Sequence, residues 1–169
     1  MSQPATDLAM LERRRIEAMI LKHVYETLKA SHGAEVAKQT VADAVRRSSI
    51  EQGSEMARSE SRPTSLDTFV ERMRLWTKGN ALDMDVKERS ATKYRFNVTR
   101  CEYANMYKAL GLGEIGHLLS CQRDGTFCEG YDQKLKLKRT QTIMQGASHC
   151  DFRYRFADAP SAGPSPAET

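Results

Sequence analysis

One stretch of the chain, residues 134–156, fixes most of what the sequence can fold into. Its first half alternates strictly between two kinds of side chain. Lysines and threonines lie on one face, and the other face carries Leu135, Leu137, Arg139, Gln141 and Ile143. Turn-forming residues follow at 145–148, and alternation resumes with Cys150, Phe152, Tyr154 and Phe156. This pattern predicts a β-hairpin with one face in the core and the other in solvent.

Two polar residues of the hairpin, Arg139 and Gln141, point to the same side as its leucines. A guanidinium in an apolar core is costly unless an anion meets it. Two roles are therefore open for Arg139. It either forms a buried ion pair, for instance with Asp124 or Glu129, or binds the carboxylate of a substrate through its two-pronged fork.

The composition is that of one soluble domain, with residues 6–156 as its extent. The chain has 169 residues, of which 28% are charged, and this length is enough for a sizeable core. The formal net charge of +4 and the lack of interleaved basic and aromatic residues argue against a nucleic-acid partner. No membrane-length apolar run and no signal-peptide pattern appear, so we expect a cytoplasmic protein without membrane contact.

The four cysteines all fall in the second half of the chain, at Cys101, Cys121, Cys128 and Cys150. Their spacings are wide and irregular, without a C-x-x-C pair, so the sequence predicts neither a metal site nor a redox dithiol. Without a secretory signal, we expect reduced thiols rather than disulfides. No cofactor is predicted.

Helical periodicity dominates the first half of the chain. It predicts helices over about 7–31 and 34–55, and a third that Ser65 caps and Gly79 ends. The first helix carries an apolar stripe of Leu8, Leu11, Ile16, Met19, Ile20, Val24 and Leu28. The ends, residues 1–5 and 157–169, are predicted to be disordered.

Strand periodicity begins after the third helix. Two strands are predicted around 82–86 and 94–98, followed by a helical pair that ends near Cys121 and by a loop over 122–131. The final hairpin completes the sheet. The predicted fold class is α+β: N-terminal helices followed by an antiparallel sheet of about four strands interrupted by a helical pair.

Three residues are candidates for catalysis. Cys101 follows a strand and precedes a helix, where backbone N–H groups favour a thiolate, although a compact buried residue is the more usual role of such a cysteine. Cys150 lies next to His149 and is open to the same two interpretations. Asp124, followed by a glycine, is either a general base or a turn residue.

Two segments resemble one known family. The segment FNVTRCEYANMYKALGLGEIGHLLSCQRDGTFCEGY and the segment LKRTQTIMQGASHCDFRYR are similar to the 2-amino-thiazoline-4-carboxylate hydrolases, small bacterial proteins that open a cyclic amidine ring. The first helix, DLAMLERRRIEAMILKHVYE, has the same style. The ending G-x-x-x-C-x-F also resembles vinyl-reductase-type ligand-binding domains of the TRAPP-like fold. Some of those bind a metal through a further cysteine, which the stretch 141–144 lacks.

The resemblance implies a hydrolase that takes a small carboxylate-bearing heterocycle and breaks its C–N or C–S bond to give a carbamoyl-amino acid. Cys101 or Cys150 would attack the amidine carbon, or Asp124 would hold the amidinium and activate water. The thiol route is the favoured one, because a thiolate needs less activation than water. Arg139 would bind the carboxylate, and the remaining substrate contacts would come from Tyr103, Gln141, His149 and Glu129.

Two other interpretations stay open beside the hydrolase. A sensor or binding domain would use the same pocket without chemistry. An interaction protein, with a homodimer face formed by the second helix, Arg153 and Arg155, would leave Arg139 unexplained.

Overall fold

Two long helices form the N-terminal part of the molecule. The structure, a computed structural model, describes residues 8–157. Helix α1 (Met10–His32) and helix α2 (Ala34–Arg58) are separated only by Gly33, whose φ of 86° lies in the left-handed region that glycine adopts without strain. The two helices form a hairpin. No helix between residues 8 and 157 has the length and apolar character needed to cross a bilayer.

The buried face of α1 differs from the predicted stripe. Ile16, Met19, Ile20 and Val24 are exposed. The face that packs inward instead carries Met10, Arg14, Ala18 and Tyr25. Ala18 and, on α2, Ala37 are almost wholly buried. A charged residue, Arg14, occupies a position where hydrophobic patterning predicts an apolar one.

Two short helices, α3 (Leu66–Arg72) and α4 (Arg74–Thr77), connect α2 to the sheet. The prediction that Ser65 caps this region is confirmed. Its hydroxyl accepts a hydrogen bond from the Thr68 N–H at 3.2 Å, and the Thr68 hydroxyl accepts one from the Ser65 N–H at 2.9 Å. This reciprocal capping box fixes where the chain enters α3.

The four-stranded antiparallel sheet is confirmed. Its strands are β1 (Leu82–Arg89), β2 (Lys93–Cys101), β3 (Leu135–Lys138) and β4 (Cys150–Phe156), arranged in the order β1-β2-β4-β3. The inner face is largely aromatic because Phe96 lies opposite Phe152 and Tyr94 opposite Tyr154. The Phe96 and Phe152 rings stack with centroids 4.9 Å apart. Helices cover this face, so the architecture is α+β.

Strand β3 is shorter than the alternation predicts. It ends at Lys138, and residues 139–149 form a connection to β4. The Asp151 carboxylate accepts hydrogen bonds from the backbone N–H groups of Thr140 and Gln141, both at 2.9 Å. Because this side chain satisfies the N–H groups that a ladder would otherwise use, the extended chain leaves the sheet while its polar groups stay paired.

Helix α5 (Glu102–Ala109) follows β2, as predicted. A π-helical turn, His117–Cys121, then runs directly into helix α6 (Gln122–Tyr131). The prediction of a loop over 122–131 is therefore wrong. Two glycines in this segment made a loop the natural prediction, and packing against α2 overrides their low helix propensity.

Helices α2 and α6 meet through their backbones at two glycines. A Cβ atom on Gly130 would collide with the Ile50 carbonyl group, and one on Gly53 would collide with the Phe127 carbonyl oxygen. Nothing larger than hydrogen fits at either position. Gly130, one of the two glycines that suggested a loop, is thus a residue that allows the helix pair to form.

Most of the predicted disordered ends, residues 1–5 and 157–169, lie outside the described residues. Within the described part, Ala157 is the only residue that belongs to them, and it is exposed and follows the last strand.

A pair of glycine substitutions in α6 tests the contact. We expect Gly130→Ala to lower the free energy of unfolding by about 3 kcal/mol, because the added carbon meets backbone that cannot move aside. Gly125→Ala is the matched control, since nothing lies within 4 Å of its added carbon. It should raise stability by about 0.5–1 kcal/mol. Urea unfolding followed by circular dichroism measures both, and equal stabilities for the two variants would contradict the backbone contact.

Candidate functional site

A cavity of about 500 Å³, counting the space at its opening, lies between the inner face of the sheet and the helices. Of this space, about 40 Å³ is open to the centre of a water-sized sphere, which is room for a few waters while the wall side chains stay in place. Most of the wall is apolar and largely aromatic: Phe69, Met73, Trp76, Leu82, Phe96, Phe127, Phe152 and Tyr154. One end is polar, with Arg14, Ser49, Arg123 and Asp124.

Asp124 reaches this cavity from the first turn of α6 and is paired with Arg139. The Arg139 Nη1 atom lies 2.5 Å from Asp124 Oδ2, and Nη2 donates to the Cys121 carbonyl oxygen. The guanidinium also lies over the Phe152 ring, 4.9 Å from its centroid. Of the two roles predicted for Arg139, the structure has the ion pair. The fork is therefore not free to clamp a substrate.

The Asp124 carboxylate keeps one oxygen unused. Among residues 8–157, no donor forms a hydrogen bond to Oδ1. Burial raises the pKa of the Asp124 carboxyl, and the nearby charge of Arg139 opposes that rise. A carboxylate with one free oxygen and an elevated pKa is suited to accept a proton.

The cysteines are held as neutral thiols. Burial raises the pKa of Cys101 to about 11, even though the backbone N–H groups at the start of α5 favour the thiolate. Burial raises the pKa of both Cys121 and Cys128 to about 12, and it also raises the pKa of Cys150. Neither Cys101 nor Cys150 lines the cavity. Their surroundings do not provide the electropositive, accessible setting of a reactive cysteine.

The other predicted contact residues are also outside the cavity wall. The Tyr103 hydroxyl donates to the Trp76 carbonyl oxygen at 2.9 Å and so holds the backbone behind a wall residue. Gln141 donates to the His149 carbonyl oxygen at 3.0 Å, in the connection between β3 and β4. Glu129 is exposed and pairs with Arg46 at 2.7 Å. Asp124 is the one predicted site residue that lines the cavity.

A buried cluster of charge at the polar end was missed by sequence reasoning. The exposed fractions of Arg14 and Arg123 are 3% and 6%. Both guanidiniums bind the Glu17 carboxylate, Arg14 at 2.8 Å and Arg123 at 3.1 Å. The Arg123 Nη1 atom is buried and has no hydrogen-bond partner within residues 8–157. Charged residues on helices are usually solvated, so nothing in the linear pattern indicated that these would meet in the interior.

No group of three or more histidine, cysteine or acidic side chains within the described chain is placed to hold a metal ion. The polar end has instead the chemistry of an anion site beside a proton acceptor.

The thiol pKa values predict slow alkylation of the native protein. At pH 8 a thiol with a pKa of about 11 is ionised in about one molecule in a thousand, so iodoacetamide should label Cys101 about 100-fold more slowly than free cysteine. The measurement is peptide mapping by mass spectrometry over time. The same reaction in denaturant is the control, where all four cysteines should react at the free rate. A native Cys101 or Cys150 that reacts at that rate would restore the thiol route.

Comparisons with known proteins agree with the fold and identify the family. The solved structure of a trafficking protein particle complex subunit 3 from Naegleria fowleri, covalently bound to palmitic acid, has a similar fold with a TM-score of 0.50. It is 10% identical in sequence, and the similarity covers 86% of this chain and 96% of that one. No curated protein matches the chain. The family model described as L-2-amino-thiazoline-4-carboxylic acid hydrolase matches residues 13–154, and the chain therefore belongs to that family.

Proposed function

We propose that the protein hydrolyses a small cyclic amidine that bears a carboxylate, 2-amino-thiazoline-4-carboxylate or a related heterocycle. The observation that carries the proposal is the position of Asp124. Among the described residues that line the cavity it is the one carboxylate, and it faces an otherwise aromatic and cationic space. The family name supports a hydrolase. The cavity offers an amidine aromatic rings to pack against and a carboxylate to bind its N–H groups.

The aromatic wall suits a flat, cationic ring. The Trp76 and Phe127 rings meet edge to face with centroids 5.4 Å apart, and Phe69 and Tyr154 lie 4.8 Å apart. A protonated amidine packs favourably against such faces through cation–π contact. Asp124 Oδ1 would accept a hydrogen bond from an amidinium N–H, which places the amidine carbon beside the carboxylate.

The chemistry is addition of water to the amidine carbon. Asp124 takes a proton from the attacking water, whose oxygen forms the new bond to that carbon. The tetrahedral intermediate collapses by breaking either the ring C–N bond or the ring C–S bond. The same proton then passes from Asp124 to the departing nitrogen or sulfur, which yields a carbamoyl-amino acid and consumes one water. Arg139 keeps the carboxylate in place through these steps.

This route is favoured over the thiol route that the sequence suggested. A covalent mechanism needs a thiolate within reach of the substrate. Burial works against ionisation at Cys101 and Cys150, and neither side chain lines the cavity. The carboxylate needs no such activation, because an elevated pKa improves it as a base.

A second candidate function is binding without turnover. The apolar wall favours it, because an aromatic cavity retains a ligand whether or not a reaction follows. The structural relative from Naegleria fowleri was solved with palmitic acid attached, so a similar fold holds an apolar ligand in that protein. Under this alternative, the chain binds the heterocycle and releases it unchanged.

Turnover of 2-amino-thiazoline-4-carboxylate by the purified protein tests the proposal. Asp124→Asn should lower kcat by about a thousandfold while substrate still binds, since the amide cannot accept the proton. The control is Asp85→Asn, an exposed carboxylate on β1 that pairs with Lys87, which should retain full activity. Cys101→Ser and Cys150→Ser should each keep kcat within about threefold, as no step uses these thiols.

The readout is loss of ring absorbance together with assays for the released group. A new free thiol means that the C–S bond breaks, and a new free amine means that the C–N bond breaks. A wild-type protein that binds the compound and leaves it intact would refute the hydrolase and support the binding alternative.

The pH profile should report the Asp124 carboxyl. The base must be deprotonated to act, so kcat/KM should fall as the pH drops through the folded-state pKa of Asp124. Because burial raises this pKa, the acidic limb should lie above pH 4, the ordinary range of aspartate. The groups that act on this carboxyl electrostatically are Arg139, Arg14 and Arg123. A limb at or below pH 4 would contradict the assignment.

A further inference from the structure

Resting on the proposed function, we infer that Arg14 and Arg123 form a carboxylate-binding subsite at the polar end of the cavity, and that its ligand is a flat cyclic monocarboxylate. Binding of the substrate carboxylate, one of the two roles predicted for Arg139, thus falls to Arg14 and Arg123.

The charges at this end of the cavity do not balance. Arg14, Arg123 and Arg139 are set against Glu17 and Asp124. Arg139 and Asp124 neutralise each other, so two buried guanidiniums share the single Glu17 carboxylate. That carboxylate also accepts a hydrogen bond from the exposed Arg13 at 3.2 Å. A buried charge without a full partner is unfavourable, and one further anion would satisfy it.

Arg123 has unused hydrogen-bonding capacity. Its Nε donates to the Leu119 carbonyl oxygen at 3.0 Å and its Nη2 to Glu17 at 3.1 Å, while Nη1 has no partner among residues 8–157. Arg14 by contrast uses Nη1 for Glu17 and Nη2 for Gln52. Burial and the charge of Arg14 lower the pKa of Arg123 to about 10, as expected for a cation that lacks an anion. The free donor belongs to a residue that lines the cavity.

The donor and the carboxylate belong to the same cavity. Arg123 and Asp124 are consecutive on α6, and both line its wall. A five-membered ring with a carboxylate at one end and an amidine at the other can contact both. Only one positive charge is in excess, which favours a monoanion over a phosphate or a dicarboxylate.

Calorimetric binding to the full chain tests the subsite with two probes. Benzoate is a flat carboxylate that the protein cannot hydrolyse, and 2-amino-thiazoline is the amidine ring without a carboxylate. Wild type should bind benzoate, and Arg123→Met should weaken this binding at least about 30-fold, because a buried charge partner is lost. Binding of 2-amino-thiazoline should change less than about twofold. Arg123→Lys keeps the positive charge and loses the two-pronged guanidinium, so its affinity for benzoate should lie between those of the wild type and of Arg123→Met.

The control is Arg95→Gln, an exposed cation on the outer face of the sheet that pairs with Glu88, and it should bind both probes as wild type does. If Arg123→Met fails to fold, the test uses the wild-type protein alone. Its affinity for 2-amino-thiazoline-4-carboxylate is then compared with its affinity for the methyl ester of that compound. The acid should bind at least about 30-fold more tightly than the ester. Equal affinities would overturn the subsite, and so would a folded Arg123→Met that binds benzoate as wild type does.

The same measurements separate this inference from the proposed hydrolysis. Binding of benzoate that depends on Arg123, in a protein that leaves the amidine intact, supports the subsite and refutes the hydrolase. If the wild type hydrolyses the substrate and the Arg123→Met variant has the same KM, the hydrolase is supported and the subsite is refuted. If both hold, Arg123→Met should raise KM with kcat within about threefold of wild type.

Discussion

The ion pair between Arg139 and Asp124 joins the two halves of the site. It ties the connection between β3 and β4 to the first turn of α6. Removing two charges from water is costly, and the further contacts of Arg139 offset part of that cost. Arg139 also donates to the Cys121 carbonyl and lies over Phe152. The ion pair fixes the orientation of the Asp124 carboxylate and leaves its Oδ1 atom without a donor among residues 8–157.

The sequence predicts those features that depend on short-range periodicity. Alternation located the hairpin, indicated that Arg139 turns inward and offered Asp124 as its partner, and the cap at Ser65 followed from its position before an apolar stripe. Helix α6 was missed because Gly125 and Gly130 lower helix propensity, whereas the close contact with α2 that requires Gly130 is a long-range one. A contact between residues so far apart in the chain cannot be predicted from a local segment of the sequence.

The buried arginines were missed for a different reason. Arg14 and Arg123 are far apart along the chain and meet through a shared glutamate, so neither segment alone indicates burial. Patterning assigns charged residues to solvent, so the stripe predicted for α1 left out Arg14, although two members of that stripe, Leu11 and Leu28, do pack against the core. Cys101 lies at the start of a helix, as expected. Its position in the sequence could not show that burial raises the pKa of the thiol more than the backbone N–H groups at the helix N-terminus lower it.

The glycine contact between α2 and α6 makes substitutions harder to accommodate on one wall of the cavity than on the other. Ser49, Arg123 and Asp124 stand on two helices whose separation is set by main chain against main chain. On the opposite wall, the rings of Phe69 and Trp76 contact their neighbours through side chains, and such groups can be exchanged for smaller or larger ones with local adjustment. Relatives built on this plan are free to diverge in the ring they accept while the reactive end keeps its spacing. Relatives that accept different rings would then differ in sequence in α3 and α4 and keep the residues of α6.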